Sequence, residues 1–293
     1  MRAGYVALVG RPNVGKSTLL NRLVGQKLSI VSFRPQTTRH RILGIKTTAA
    51  AQMIFIDTPG IHVGDRRAIN RYLNQAAQSA LGNADVIIWV IDQPQWRPGD
   101  DAVEDRLANI GVPVILAINK IDRVSDKKSL LPFLSTANDR FAFQEIIPLS
   151  AFKGTNVEVL ERSAMALIPE GEAIYPADQL SDRPLRFFAA EVVREKLLYR
   201  LGQEVPHALT VEIDAFEEHP ALATIHAVIW VERRGQKGIV IGKHGKLLKD
   251  AGSESRRELE AMLGKKVNLQ LWVKVREGWS DNEAALRTLG YAE

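Results

Sequence analysis

Short apolar runs alternate with longer amphipathic stretches along the first part of the chain. Apolar runs of four to eight residues rich in Val and Ile are typical of buried strands, whereas apolar residues every three or four positions indicate helices. The predicted strands are residues 6–9, 41–48, 52–57, 85–91, 112–119 and 145–149. The predicted helices are residues 16–23, 70–81, 102–110, 127–137 and 157–167. This alternation predicts an α/β domain with a mostly parallel sheet covered on both faces.

The pattern changes after residue 168. Residues 169–184 combine prolines, a glycine and acidic residues, which is typical of an exposed connector. The elements predicted beyond it are helix 185–201, strands 207–215 and 223–231, helix 245–263, strand 266–275 and a short helix within 280–292. We therefore expect three parts: an α/β domain over 1–168, a linker over 169–184, and a smaller α+β domain with a C-terminal tail over 185–293.

Composition narrows the class of protein. Hydrophobic residues make up 45% and charged residues 25% of the chain, which disfavours wholesale disorder, and the lack of Cys excludes a disulfide-stapled fold. The N-terminus lacks a signal-peptide pattern, so a cytoplasmic location is expected. Residues 233–276 carry 12 basic and 4 acidic side chains. This local excess favours a positive face that meets RNA or an anionic membrane.

The most specific pattern lies between the first predicted strand and the first predicted helix. Residues 10–17 match G-x-x-x-x-G-K-[ST] in the structural context that this phosphate-binding motif requires. Backbone N–H groups of such a loop face phosphate oxygens, Lys16 reaches the β- and γ-phosphates, and Ser17 offers a hydroxyl ligand for Mg²⁺. The predicted phosphate contacts are Gly10, Arg11, Pro12, Asn13, Val14, Gly15, Lys16, Ser17 and Thr18.

A second pattern selects the base of the nucleotide. Asn119, Lys120 and Asp122 follow an apolar strand and fit the N-K-x-D guanine motif. The Asp122 carboxylate can accept hydrogen bonds from N1–H and the N2 amine of guanine, whereas adenine has no such pair of donors. Asn119 is expected to tie this loop to the phosphate-binding loop, and the stem of Lys120 to cover the ring. Further base contacts are expected after the last strand of this domain, at Ser150, Ala151 and Lys153.

Residues 57–60 end another strand with the sequence Asp-Thr-Pro-Gly. Asp57 is expected to hold Mg²⁺, and the Gly60 N–H to contact the γ-phosphate, so loss of that phosphate releases the following loop. The nucleotide contacts predicted here are Asp57, Thr58, Pro59, Gly60 and Ile61. Ile61 stands where Ras-type enzymes place a water-orienting Gln, and its side chain has no hydrogen-bonding group.

Two adjacent threonines precede that strand in a polar loop. One of Thr37 and Thr38 should close over the γ-phosphate and Mg²⁺, and we favour Thr38. The metal ligands predicted from the sequence are thus Ser17, Thr38 and Asp57. The residues expected to assist hydrolysis are Lys16, Thr38, Gly60 and Asn13.

The second domain contains Gly242-Lys243-His244-Gly245 between two helical stretches and inside the basic segment. Paired glycines allow close approach of an RNA backbone, and the flanking basic side chains supply charge and hydrogen-bond donors. The predicted RNA contacts are Ile241, Gly242, Lys243, His244, Gly245 and Lys246.

Together these motifs resemble the Era-like branch of the translational GTPases (the TrmE-Era-EngA-like group) in the Ras-like P-loop superfamily, and the resemblance covers the whole chain. It implies a Ras-like P-loop GTPase domain followed by a type II KH domain. It also implies slow, Mg²⁺-dependent conversion of GTP to GDP and phosphate by a monomer. The expected partner is small-subunit ribosomal RNA near its 3′ end, with a role in small-subunit assembly and a link to growth and division.

In several members of this group an Asn at the Asn13 position helps to bind K⁺, so the resemblance also implies K⁺ as a possible cofactor that raises the rate of GTP hydrolysis. Peripheral association with the cytoplasmic face of the inner membrane is a further implication. Two other functions stay open from the residues alone. One is an RNA-binding protein that does not hydrolyse its nucleotide, and the other is a membrane-surface GTPase whose basic stretch meets anionic lipid.

Overall fold

A computed structural model of the chain describes residues 1–34, 36–60, 67–202 and 205–291. The chain divides into two compact units by its internal contacts. Unit 1 comprises residues 1–66 and 70–182, and unit 2 comprises residues 67–69 and 183–293. Among the described residues, no helix has both the length and the apolar character needed to cross a bilayer.

Unit 1 is built on a six-stranded sheet with the spatial order β2-β3-β1-β4-β5-β6. The strands are β1 (Arg2–Val9), β2 (Ile42–Thr47), β3 (Ala51–Asp57), β4 (Val86–Ile91), β5 (Val114–Ile118) and β6 (Glu145–Pro148). Only β2 runs antiparallel to its neighbour, through the hairpin with β3. Every residue of β3, β4 and β5 is buried, as expected for central strands covered on both faces.

The first strand is longer than its apolar run predicts. The sequence predicts residues 6–9, yet β1 begins at Arg2 because Arg2–Leu8 pair in register with Ala51–Asp57 of β3. The extra length comes from a neighbouring strand, so hydrophobicity along β1 alone does not reveal it.

Among the described residues, the α-helices that cover this sheet are α1 (Lys16–Val24), α2 (Ala68–Gly82), α3 (Asp101–Leu107), α4 (Leu130–Arg140) and α5 (Val157–Leu167). The helix predicted over 127–137 instead starts with a 3₁₀ turn and extends to Arg140. Its last residue is held by ion pairs with Asp101 and Glu104 of α3, and its guanidinium lies 4.6 Å from the Trp96 ring centroid. Distant partners thus extend the helix beyond its local pattern.

The predicted linker, residues 169–184, is anchored on unit 1 as far as residue 182. The backbone N–H of Ile45 in β2 donates to the carbonyl of Leu180 at 2.8 Å. The side chain of Gln52, fully buried in β3, donates to the carbonyl of Tyr175 and accepts from the Ile174 and Tyr175 N–H groups. Most side chains of this segment are exposed, but the segment is tied to the β2–β3 hairpin as far as Asp182, whose Oδ1 accepts from the Leu43 N–H at 3.2 Å.

Unit 2 has the element order α-β-β-α-α-β with one further short helix. Its elements are α6 (Leu185–Arg200), β7 (Leu209–Glu218), β8 (Leu222–Val231), α7 (Arg234–Ile241), α8 (Lys246–Leu263), β9 (Lys266–Val275) and α9 (Glu283–Thr288). The sheet order is β7-β8-β9, with β8 antiparallel to β7 and parallel to β9. The final helix is shorter than the stretch in which it is predicted, and the Asn282 side chain caps it by accepting from the Ala285 N–H.

Candidate nucleotide site and RNA-binding loop

The phosphate-binding loop joins the end of β1 to the start of α1. Gly15 has a φ of 106°, and a Cβ placed there would lie 2.3 Å from Asn119 Nδ2. Both the backbone conformation and the close approach therefore require glycine. Gly60 lies against the same loop, because a Cβ on it would lie 2.9 Å from the backbone N of Pro12. The structure thus brings two predicted motifs, 10–17 and 57–60, together at one edge of the sheet.

Lys16 is buried inside this loop. Its Nζ donates to the carbonyl oxygens of Gly10 and Arg11, each at 2.9 Å. Burial lowers the pKa of Lys16 to about 8, although Asp57 acts in the opposite direction. A phosphate group beside this ammonium would stabilise its charged form, so the loop favours polyphosphate ligands.

Three hydroxyl and carboxylate groups predicted as metal ligands meet at the start of α1. Ser17 Oγ lies 2.8 Å from Thr38 Oγ1 and donates to Asp57 Oδ2 at 2.7 Å. Thr37 is directed elsewhere, since its Oγ1 donates to the Arg34 carbonyl at 2.6 Å and lies 2.6 Å from Ser32 Oγ. Of the two candidate threonines, only Thr38 belongs to this cluster.

Asp57 supplies an independent indication that this cluster suits a cation. Its side chain is fully buried, and Oδ1 has no hydrogen-bond partner among the described residues. Burial raises the pKa of Asp57, while Ser17 and Lys16 oppose that shift. A buried carboxylate oxygen without a partner is costly, and Mg²⁺ prefers oxygen ligands of this kind. The residues present therefore fit a Mg²⁺ ion.

The two predicted base-binding loops are joined through Asn119. Its Nδ2 donates to the Val14 carbonyl at 2.9 Å, and its Oδ1 accepts from the N–H groups of Lys120 and Ala151 at 2.8 and 2.9 Å. Asp122 Oδ1 accepts from Ser150 Oγ at 2.5 Å. Asn119 thus ties both loops to the phosphate-binding loop, which places Asp122, the carboxylate predicted to select guanine, in one site with the phosphate-binding loop.

A charged cluster at this site was missed by sequence reasoning. Arg11 pairs with Asp92 at 2.9 Å and with the buried Asp100 at 2.8 Å. Lys120 Nζ donates to the Asn13 carbonyl at 2.5 Å and lies 3.5 Å from Asp92 Oδ2. Burial acts against ionisation of Asp92, but Lys120 and Arg11 outweigh it and lower its pKa. The only sequence signal was an acidic residue directly after β4, where site residues often collect.

Arg22 is a second residue without a sequence signal. From the last turn of α1 it donates to the carbonyl oxygens of Ala151 (3.2 Å) and Phe152 (2.7 Å). These bonds span about 130 positions of the chain, so no local pattern reveals them. Arg22 therefore positions the loop whose backbone N–H is expected to meet the guanine O6.

The remaining predicted nucleotide contacts are placed as follows. Thr58 is buried and donates to the Leu8 carbonyl at 2.8 Å, next to the buried Pro59. Thr18 is half-buried in the first turn of α1, and Lys153 Nζ lies 5.4 Å from the Phe152 ring centroid. The predicted contact at Ile61 lies outside the described residues.

The predicted RNA-binding loop lies between α7 and α8 of unit 2. Gly242 and Gly245 have φ values of 74° and 75°, and a short 3₁₀ turn at Lys243–Gly245 joins the two helices. The side chains that project from this turn into solvent are Lys243, His244 and Lys246. Ile241 instead packs partly against the hydrophobic core of unit 2. The loop therefore exposes basic groups around two glycines, as RNA backbone contact requires.

Comparison with known proteins finds a family match for the domain that carries the nucleotide site and another for the domain that carries the loop at Gly242–Gly245. Residues 5–120 match the family described as 50S ribosome-binding GTPase, and residues 204–280 match the KH domain family. The chain is 49% identical over 292 residues to GTPase Era of Pseudomonas aeruginosa strain LESB58, covering 100% of this chain and 96% of that protein. It is 50% identical over 293 residues to GTPase Era of Azotobacter vinelandii, covering 100% and 98%.

Two solved structures are similar along the full length of both chains. One is a variant of Aquifex aeolicus Era bound to GDP and tetrafluoroaluminate (TM-score 0.96, 41% identity, 100% of each chain covered). The other is Era in complex with MgGDPNP and nucleotides 1506–1542 of 16S ribosomal RNA (TM-score 0.96, 42% identity, 100% of each chain covered). With a Ras-like GTPase domain, a C-terminal KH domain and full-length relatives at this level of identity, the chain belongs to the Era family of GTPases.

Proposed function

We propose that this GTPase binds the 3′-terminal region of small-subunit ribosomal RNA and acts in assembly of the small ribosomal subunit. The observation that carries the proposal is the turn between Gly242 and Gly245, which exposes Lys243, His244 and Lys246 on a KH domain. A similar Era structure is described as holding MgGDPNP together with nucleotides 1506–1542 of 16S ribosomal RNA, and this supports the same class of ligand here.

The nucleotide site supplies the groups that GTP hydrolysis requires. Asp122 selects guanine, the loop before α1 surrounds the phosphates, and Lys16 places a positive charge among them. Ser17, Thr38 and Asp57 would hold Mg²⁺, which when bound neutralises charge on the phosphate oxygens. Thr38 bonds to Ser17 from the loop that precedes β2, so it connects that loop to the ion-binding cluster. A slow intrinsic rate is expected, since Ile61 cannot orient water through its side chain.

We further propose a K⁺ site at Asn13. The Asn13 side-chain Nδ2 donates to the carbonyl oxygen of Phe33 at 3.0 Å. The amide oxygen of Asn13 and a backbone carbonyl oxygen beside the phosphate-binding loop are suitable ligands for a monovalent cation near the γ-phosphate. We expect faster GTP hydrolysis in K⁺ than in Na⁺, and we expect Asn13→Ala to remove the difference. Equal rates of the parent chain in the two salts, at matched ionic strength, would rule the site out.

The RNA-binding proposal is tested with Lys243→Gln/Lys246→Gln. A single-stranded RNA that copies the 3′-terminal nucleotides of small-subunit ribosomal RNA is the probe. Loss of two phosphate contacts should weaken binding at least about tenfold at moderate salt and reduce the slope of log affinity against log salt by about 1.4. GTP hydrolysis without RNA should be unchanged, because neither residue lies in unit 1.

Two controls accompany this measurement. Lys128→Gln removes an exposed lysine of unit 1 and should leave RNA affinity unchanged. Anionic vesicles compete with the RNA in a parallel series. RNA affinity that is insensitive to the double substitution, combined with vesicle binding that is lost, would favour the membrane-surface alternative. Co-sedimentation with small rather than large ribosomal subunits then tests the assembly role.

A further inference from the structure

The nucleotide site is connected to the start of α3 by four side chains of alternating charge. They are Asp100, Arg11, Asp92 and Lys120, and we call them the Asp100–Lys120 network. Both carboxylates accept from the Arg11 guanidinium, and Lys120 Nζ lies 3.5 Å from the second oxygen of Asp92. Arg11 and Lys120 belong to loops predicted to contact the nucleotide, whereas Asp92 and Asp100 belong to neither loop.

Asp100 is the rigid end of this network. Its side chain is fully buried, Oδ1 accepts from Arg11 Nε at 2.8 Å, and Oδ2 accepts from the Arg97 N–H at 2.9 Å. Its backbone carbonyl accepts from the N–H groups of Val103 and Glu104 in the first turn of α3. A buried carboxylate that is bonded through both oxygens keeps one orientation. Asp100 therefore holds the Arg11 guanidinium in a fixed position.

The stem of Arg11 is held as well. A Cβ on Gly99 would lie 3.1 Å from Arg11 Cδ, so the stem passes directly over this glycine. Gly99 also has a φ of 97°, which favours glycine at this position. A guanidinium is a planar fork that can bond two carboxylates at once, which the ammonium of a lysine does less well. Arg11 therefore joins Asp100 to Asp92 in one geometry.

Lys120 is the end of the network that reaches the base. Its Nζ donates to the Asn13 carbonyl at 2.5 Å and faces Asp92 Oδ2. Burial lowers the pKa of Lys120, and Asp92 opposes that shift, so Asp92 favours the charged ammonium. With its far end fixed by these two contacts, the stem of Lys120 keeps one path. That stem is the part of the residue expected to cover the guanine ring.

We propose that Asp100 is a positioning residue for guanine nucleotides, because it acts through Arg11 and Asp92 to hold the Lys120 stem against the base. The network includes neither Lys16 nor the ion-binding cluster. Lys16 bonds to the backbone carbonyl of Arg11, which substitutions at Asp92 and Asp100 leave in place. The network therefore strengthens GDP and GTP binding equally and does not act on the hydrolytic step. The proposal rests on the predicted contact of Lys120 with guanine and is independent of RNA binding.

The test measures dissociation of fluorescent GDP and of a fluorescent non-hydrolysable GTP analogue from the full chain in Mg²⁺. Asp100→Asn keeps the size of the buried side chain and removes its charge. Both nucleotides should dissociate about tenfold faster, by the same factor, which is within the range for residues joined in one ion-pair network. GTP hydrolysis at saturating GTP should stay within about twofold of the parent rate, so the effect appears in KM and not in kcat.

A second substitution interrupts the same network nearer to the base. Asp92→Ala removes a half-buried carboxylate and leaves the buried pair of Asp100 and Arg11 in place. It should also accelerate both dissociation rates about tenfold, and it keeps the test decisive if Asp100→Asn does not fold. Glu104→Ala is the matched control. It breaks another ion pair of α3, with Arg140, and should change neither dissociation rate.

Double substitutions identify the path of the effect. Lys120→Gln should itself accelerate GDP dissociation, and adding Asp92→Ala or Asp100→Asn should change the rate no further. Multiplication of the separate effects would overturn the proposal, as would an unchanged GDP dissociation rate in Asp92→Ala. A loss of kcat as large as the loss of affinity would also overturn it. If Lys120→Gln leaves GDP dissociation unchanged, the predicted contact of Lys120 with guanine is wrong and the proposal falls with it.

Discussion

Replacement of Asp122 by Asn is expected to change the base preference of the site from guanine to xanthine. The Asp122 carboxylate is anchored by Ser150 Oγ at 2.5 Å, in a loop that Asn119 joins to the phosphate-binding loop. A carboxylate there accepts two hydrogen bonds from guanine. An Asn amide presents a donor to the guanine donors, which leaves polar groups unpaired, whereas xanthine offers a carbonyl oxygen in the same place.

The expected size of this effect follows from two lost charge-assisted hydrogen bonds. At about 1.5–3 kcal/mol each, they predict a loss of GDP affinity of at least about 100-fold, with measurable XDP binding gained. Displacement of a fluorescent nucleotide by GDP, XDP and ADP gives all three affinities. Asp105→Asn, at an exposed position of α3, is the matched control and should keep the same order of affinities for GDP, XDP and ADP as the parent chain. Unchanged GDP affinity in Asp122→Asn would show that Asp122 does not face the base.

The second large effect is expected at the cluster of Ser17, Thr38 and Asp57. Ser17→Ala removes one proposed Mg²⁺ ligand and both of its hydrogen bonds, and it leaves the buried Asp57 with less compensation. We expect GDP affinity in Mg²⁺ to fall by about 100-fold or more, to a value that EDTA no longer lowers. The measurement is the rate of GDP dissociation with and without Mg²⁺. For the parent chain these two rates should differ greatly.

The two adjacent threonines provide an internal control for that experiment. Thr38 Oγ1 lies 2.8 Å from Ser17 Oγ, whereas Thr37 bonds to the Arg34 carbonyl. Thr38→Ala should reduce GTP hydrolysis at least about tenfold, because Thr38 is expected to close over the γ-phosphate. The affinity for GDP should change little, since GDP has no γ-phosphate. Thr37→Ala should retain most of the activity. The reverse order would assign the ligand to Thr37 and contradict the geometry.

Elements supported mainly by local contacts were predicted well. Helix α5 and strand β9 have the predicted bounds, 157–167 and 266–275, because the periodicity of their apolar residues matches their buried faces. Strand β1 and helix α4 differ from prediction where distant partners act. Pairing with β3 lengthens β1, and the contacts of Arg140 with α3 extend α4.

The chemistry of the nucleotide site was determined by the sequence itself. A phosphate-binding loop works through backbone N–H groups and a few fixed residue types, so its spacing in 10–17 is sufficient to identify it. The guanine motif at Asn119–Asp122 is equally local. The domain order followed from the change of pattern after residue 168.

Only the tertiary structure decided which side chains support that chemistry. It selected Thr38 over Thr37, joined Arg11 to Asp92 and Asp100, and set Arg22 against the loop at Ala151. In the structure Trp272 is exposed and Trp279 is buried, although both are tryptophans near the end of the chain. The physical reason is the same in each case. These contacts join residues that are tens to hundreds of positions apart, so they depend on strand register and helix packing. No local pattern of residues encodes either of them.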